Sequence, residues 1–390
     1  MSAQTIVGAL DKGDCRVTVT PDSTLKIEIK TKASEMLAEG IEAVVQGVID
    51  NLPGLSPCHI LVEEFGSLDY VIGARTETAL RRAFPALGST TPSTTPHREL
   101  PRDRLRRTRL YCPGNNPRLL VGCELHGADV VLLDLEDSVP PVAKGEARIL
   151  VKHMLGMVDF PEVWVRINPL NTYGLEDIPE VLRGRPDGIC LPKAEGKGGI
   201  QQLSELLAKT EKELGIPEGT TKIIPIVETA RGVLRADEIA GADERVIQMA
   251  FGAEDYTRDV GASRTWDALL YARSAIVAAC KANRIQASDT VFSDLEDEEG
   301  LVTETRQAKS LGFDGKGVIN PRQVAPIHKV FDPTPAEIEY ARKVVEVAEE
   351  AQRKGLGAIA MGGKMIDQPV LERARRILKL ASMMRQEVTK

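Results

Sequence analysis

Between Arg109 and Asn320 the chain repeats one pattern eight times: a short apolar run closed by charged or polar residues, then a stretch with helical spacing. The runs are RLYC, ADVVLLDLED, EVWVRIN, DGICLPK, KIIPIVE, VIQMAFGAED, ASDTVFSD and GFDGKGVIN. Unbroken apolar runs of this length suit parallel strands buried on both faces. Parallel neighbours need a crossover between them, and the intervening helical stretches supply it. Eight such units in about 220 residues match the count and size of a TIM (β/α)8 barrel. An open, doubly wound α/β sheet is the alternative. No GxGxxG follows a strand and opens a helix, so a dinucleotide-binding version has little support.

At 390 residues the chain exceeds what a barrel needs, and the pattern divides it further. Residues 1–87 form a small α+β domain. CRVTVTP and LKIEIKT alternate apolar and polar residues around PDST, as a hairpin does, and a helical stretch over Ala33–Asn51 follows. HILVEEFGSLDYVIGA reads as two further strands around Gly66–Ser67, then Thr76–Phe84 as a helix, giving the order ββαββα. Residues 88–104, rich in Ser, Thr and Pro, read as a semi-extended linker. The barrel occupies 105–330, and 331–390 is a C-terminal helical extension that packs on a neighbour or covers the site. In that extension Thr334 and Glu337 have capping-box spacing.

The net charge of −7 and pI near 5.5 argue against nucleic acid as a partner. No basic-then-apolar leader is present, and no apolar run reaches the roughly 20 residues of a membrane span. Six cysteines without a CxxC pair read as reduced thiols, which points to the cytoplasm. The five scattered histidines give no zinc signature.

Barrel strand ends carry chemistry. Here they offer Glu136, Asp137, Arg166, Lys193, Glu228, Asp255, Asp294 and Asn320. Glu228 and Asp255 close two runs one helix apart, so two hard oxygen ligands share one sheet edge, an arrangement suited to Mg²⁺. The alternative is that each acid caps a following helix. The basic cluster Arg104–Arg109 leads straight into a strand and is either a solvated face or a group near phosphates.

The barrel half resembles the citrate lyase beta-subunit family, which includes malyl-CoA and citramalyl-CoA lyases. LYCPGN, LLDLEDSV, WVRIN, LPKAE, VETARG, FGAEDY, VINPRQ and GKMIDQPV carry the likeness, in order, from about Arg106 to Met384. The resemblance implies a TIM barrel, Mg²⁺ and cleavage of a 3-hydroxyacyl-CoA thioester. It makes Glu228 and Asp255 the metal ligands. Glu136 and Asp137 would hold metal-bound waters, and Arg166 would stabilise an enolate oxygen. Lys144, Arg148, Glu254 and Asn320 would contact the thioester. Asp367 would be an acid/base supplied by an adjacent subunit, which implies a homo-oligomer, a trimer or hexamer.

Residues 5–84 resemble the acyl-carrier (gamma) subunit of citrate lyase, through IVGALDKGDCRVTV and LDYVIGARTETAL. That family attaches its prosthetic group to a serine before a Gly-Asp pair. Here Lys12 precedes Gly13-Asp14, and an amine cannot form the phosphodiester, so no covalent prosthetic group is expected. The expected reaction is retro-Claisen cleavage of citryl-CoA, citramalyl-CoA or malyl-CoA to acetyl-CoA and a 2-oxo acid. A citryl-ACP lyase component of a larger complex and a non-catalytic assembly protein are the competing readings.

Overall fold

The computed structural model describes residues 4–31, 35–91, 100–353, 359–361 and 364–388. The first unit contains β1 (Thr5–Gly8), β2 (Cys15–Pro21), β3 (Lys26–Lys30), α1 (Glu35–Asp50), β4 (Cys58–Glu64) and α2 (Asp69–Ala83). Its sheet runs β1-β2-β4-β3, with β3 parallel to β4 and the other pairs antiparallel.

Two expectations fail in this unit. The residues around PDST do not close a hairpin, because β4 lies between β2 and β3, and α1 is the crossover that returns β3 parallel to β4. DYVIGA is the first part of α2, not a strand. Tyr70 through Leu80 are all buried, since one face of α2 covers its own sheet and the other meets the barrel. A helix covered all round loses its polar stripe, and its apolar residues then read like a strand.

The barrel is closed and all-parallel, in the order β5 to β12 and back to β5. Its strands are β5 (Thr108–Pro113), β6 (Val130–Asp134), β7 (Val163–Arg166), β8 (Gly188–Leu191), β9 (Lys222–Val227), β10 (Gln248–Phe251), β11 (Gln286–Asp289) and β12 (Gly315–Val318). All eight expected runs supply one strand each. Between them come α3 (Pro117–Leu120), α4 (Lys144–Met157), α5 (Gly174–Val181) and α6 (Lys197–Glu213). These are followed by α7 (Ala230–Leu234), α8 (Ala236–Ala240), α9 (Ala253–Val260), α10 (Trp266–Ala282) and α11 (Glu298–Leu311). Val130, Leu132, Trp164, Cys190, Ile224 and Ile226 fill the barrel interior. The six cysteines are buried and free.

The first unit is joined to the barrel by a buried polar knot. Glu77 of α2 accepts from Lys152 Nζ at 2.6 Å and pairs with His153 Nε2 at 2.7 Å, both on α4. Lys152 also reaches Glu180 of α5 at 2.7 Å. Arg75 holds Asp14 through two nitrogens, at 2.9 and 3.0 Å, and Glu146 of α4 at 2.8 Å. Gly73 lets α2 and α4 approach closely: a Cβ there would lie 2.8 Å from His153 Nδ1. The start of the expected linker joins the knot. Ser89 Oγ donates to Glu180 at 2.5 Å, and Thr90 is buried against Glu77. Residues 92–99 of that segment lie outside the described residues.

After the barrel come α12 (Val324–Phe331), α13 (Pro335–Arg353), the short hairpin of β13 (Ile359–Met361) and β14 (Lys364–Ile366), and α14 (Gln368–Val388). Thr334 and Glu337 make the expected capping box, at 2.7 and 3.2 Å. Ala341, Val344, Ile366 and Ala374 form a small separate core between α13 and α14.

Candidate active site

Glu228 is the residue after β9, and only 2% of it is exposed. It does not cap the next helix: Thr229 does, accepting from Gly232 N–H at 3.1 Å. Glu228 Oε1 instead accepts from the backbone N–H of Lys193, at 2.8 Å. Lys193 reaches that position with φ of 52°, a left-handed conformation that is uncommon for a residue with a Cβ. Gly252 after β10 clears room for the other oxygen, since a Cβ there would sit 2.5 Å from Glu228 Oε2. Burial first, then the carboxylates of Glu136 and Asp255, push the Glu228 acid up to about 8. Asp255 lies in the first turn of α9 and pairs with Arg258.

Beside this pair stands Arg166, at the end of β7. It makes a bidentate bond to Asp134, Nε to Oδ1 at 2.6 Å and Nη2 to Oδ2 at 2.8 Å. Burial opposes charge on Asp134, but Arg166 outweighs it and holds the acid below its usual range. Arg166 Nη1 lies 2.9 Å from Glu136 Oε2 and 3.5 Å from Asp137 Oδ2. Glu136 also bonds the Lys193 ammonium. Yet Glu136 Oε2 is buried without a well-directed hydrogen bond, and burial raises that acid.

Asp134, Glu136, Asp137, Glu228 and Asp255 therefore meet Arg166 and Lys193 in one place, an excess of negative charge in a partly dry site. All the donors are hard carboxylate oxygens, which fits Mg²⁺ rather than zinc. No group of three or more His, Cys, Asp or Glu converges as a metal cage among the described residues. The fit is thus two carboxylates, with water for the remaining positions, as Mg²⁺ prefers. The cavity above them has a volume of about 500 Å³ and is lined by Arg109, Tyr111, Arg166, Glu228 and Asp255, among others.

Other expected residues lie elsewhere. Lys144 does not line the cavity; its ammonium donates to the carbonyls of Leu135 and Glu136, at 2.8 and 2.7 Å. Arg148 ties α4 to Asp177 and Glu176 of α5. Lys144 thus holds the loop after β6 in shape, and Arg148 joins α4 to α5. Glu254 lines the cavity rim, bonded to Arg264 at 2.8 Å. Asn320 caps the turn after β12 by accepting from Arg322 N–H at 3.0 Å. Asp294 lies beyond the end of β11, which stops at Asp289. Asp367 starts α14, accepting from Val370 N–H at 3.2 Å, and does not line its own chain's cavity. Lys12 is exposed on the β1–β2 loop.

Asp134 and Tyr111 were missed. Asp134 was legible only as the first acid of LLDLED, and nothing in the sequence tells that acid from the two after it. Arg106 and Arg107 of the basic cluster are buried against Glu162 and Asp129, at 2.8 and 2.6 Å. They are a solvated face no more than they are a phosphate site.

A closed parallel barrel with acids, Arg166 and a hard-oxygen pair at the C-terminal end of the barrel has the layout of a barrel enzyme. Residues 107–321 match the HpcH/HpaI aldolase/citrate lyase family, and the chain belongs to it. Residues 2–83 match the malonate decarboxylase delta subunit, a carrier-protein family. The chain is 46% identical to citrate lyase subunit beta of Leuconostoc mesenteroides subsp. cremoris, over 72% of this chain and 94% of that one. It is 35% identical to mitochondrial citramalyl-CoA lyase of Rattus norvegicus, over 72% of this chain and 88% of that one. The crystal structure of CitE from Mycobacterium tuberculosis with magnesium, acetoacetate and coenzyme A superposes with a TM-score of 0.60 and 34% identity, covering 72% of this chain and 100% of that one. The chain is accordingly a carbon–carbon lyase of this family.

Proposed function

We propose that the chain cleaves a 3-hydroxyacyl-CoA thioester, citryl-CoA, citramalyl-CoA or malyl-CoA, to acetyl-CoA and a 2-oxo acid, with Mg²⁺ held by Glu228 and Asp255. The observation that carries this is the buried Glu228 carboxyl beside Asp255, with Arg166 facing the same cavity. The CoA-bound and magnesium-bound relative supports the same assignment.

Mg²⁺, when bound, supplies a Lewis acid for the substrate's hydroxyl and adjacent carboxylate oxygens. Glu136 and Asp137 would orient water bound to it. Asp134 fixes the Arg166 fork, leaving the guanidinium to stabilise negative charge on the thioester oxygen as the carbon–carbon bond breaks. A base must take the hydroxyl proton. Asp367 does not line its own cavity, so it acts only if a second copy presents it. The resulting enolate takes up a proton at carbon to give acetyl-CoA.

A coupled assay of the purified chain with Mg²⁺ and each thioester tests the proposal. Release of a 2-oxo acid and acetyl-CoA from at least one is expected, and no release from any overturns it. The match of residues 2–83 to a carrier family favours one competing reading, a citryl-ACP lyase component. The intact mass decides between them: the sequence mass alone supports the free thioester, and an added prosthetic group supports the carrier.

A further inference from the structure

Six arginines are buried in the described residues, and five have carboxylate partners: Arg75 with Asp14, Arg106 with Glu162, Arg107 with Asp129, Arg245 with Glu211 and Arg273 with Asp289. Arg109 has none among the described residues. It sits on β5, two residues before Tyr111, and is 3% exposed. Its guanidinium donates to Gln248 Oε1 at 3.3 Å and to the Tyr111 hydroxyl at 3.1 Å. Those bonds use Nη1 and Nη2, and Nε has no acceptor. The amide nitrogen of Gln248, itself 1% exposed at the start of β10, also has none.

Two buried donors without acceptors, one of them cationic, therefore lie side by side. A buried charge without a partner is costly and is retained where a ligand brings the counter-charge. The cavity that holds Glu228 and Arg166 reaches Arg109, so a bound molecule can supply it. Arg109 shares that lining with Tyr111 and Ile226, and Gln248 stands behind it, bonded to its guanidinium. A guanidinium edge beside an amide matches a planar carboxylate.

We propose that Arg109, backed by Gln248, forms a carboxylate subsite of the cavity. Resting on the lyase reading, this selects a thioester whose oxo-acid half carries a second carboxylate, as in citryl-CoA, over one with a methyl group or hydrogen there. The two carboxylates of the oxo acid would then meet two separate cations, the metal that Glu228 and Asp255 would hold and the guanidinium of Arg109. Arg166, already held by Asp134, stays available for the thioester oxygen.

Isothermal titration of the full-length, Mg²⁺-saturated protein with fresh oxaloacetate and with pyruvate tests this without turnover. Wild type should prefer oxaloacetate by on the order of 10- to 100-fold, the worth of a charge-assisted hydrogen bond. Arg109→Gln should abolish the preference while leaving pyruvate binding nearly unchanged. Arg109→Lys, which keeps the charge, should retain part of it. Equal affinities in wild type, or equal weakening of both ligands in a variant whose circular dichroism is native, overturns the subsite. Should Arg109→Gln fail to fold, the wild-type ratio and Arg109→Lys decide. A protein that prefers oxaloacetate yet cleaves no thioester sinks the lyase reading and leaves the subsite standing. A lyase that cleaves all three thioesters alike, before and after substitution, does the reverse.

Discussion

Glu228 is the residue whose ionisation the site must change. Burial and two neighbouring acids raise it to about 8, far above an exposed glutamate. The folded, metal-free chain thus holds a proton that the unfolded chain has lost, and stability from this group is present at low pH. It falls away as pH rises from the unfolded value of about 4.5 through 8. With Glu228 as the proposed ligand, Mg²⁺ would require the ionised form, so its affinity should climb with pH up to about 8 and its binding should release a proton. Titration calorimetry in buffers of different ionisation enthalpy measures that release, and Glu228→Gln should eliminate it along with most activity. At Arg166, substitution by Lys keeps charge but loses the bidentate grip on Asp134. If the interaction belongs to the transition state, as proposed, turnover should drop by about 10²–10³ with KM little changed. A raised KM with normal kcat would instead make Arg166 a ground-state binding residue.

At the scale of elements, the contact between α2 and α4 is the feature most exposed to single changes. Lys152→Ala removes the fully buried cation that Glu77 and Glu180 share and leaves them the more exposed Arg81, a loss of about 3–5 kcal/mol in urea unfolding. A drop within 1 kcal/mol would mean that water repairs the gap. This contact also marks where the sequence stops being legible. Barrel strands such as KIIPIV announce themselves because they are buried on both faces, and Glu228 stands out as the charge that ends one, while Asp255 falls a turn beyond the next, at the start of α9. α2 does not, because burial by two partners erased its period. The polar residues that join the domains, Glu77, Lys152 and Ser89, look like ordinary surface in the sequence, since partners more than sixty positions away have no local signature. Arg109 was visible only as one more member of a basic cluster, because its lack of a carboxylate partner is a property of the closed barrel.

At the scale of the molecule, the first unit and the barrel share a buried ionic interface, which alters what truncation should do. A chain beginning near Arg102 would expose the α4 face to water and strand Lys152 and His153 without Glu77. It should unfold at lower denaturant concentration than the full chain and lose activity with its stability. The full chain should unfold in one transition, by fluorescence and by circular dichroism alike. Two separated transitions would show that the domains are only tethered.

The same knot bears on traffic. A domain that shuttles acyl groups must leave one site to visit the next, and each departure here would uncover Glu77, Lys152 and Arg75 together. Held by those pairs, the first unit stays where it is, with Gly13 against Arg118 of α3 and Leu119 of that helix lining the cavity. On the free-thioester reading proposed above, delivery would fall to diffusion: each thioester would arrive from bulk solution, and the rate at low concentration would be set by encounter with a stationary mouth rather than by the swing of an attached arm.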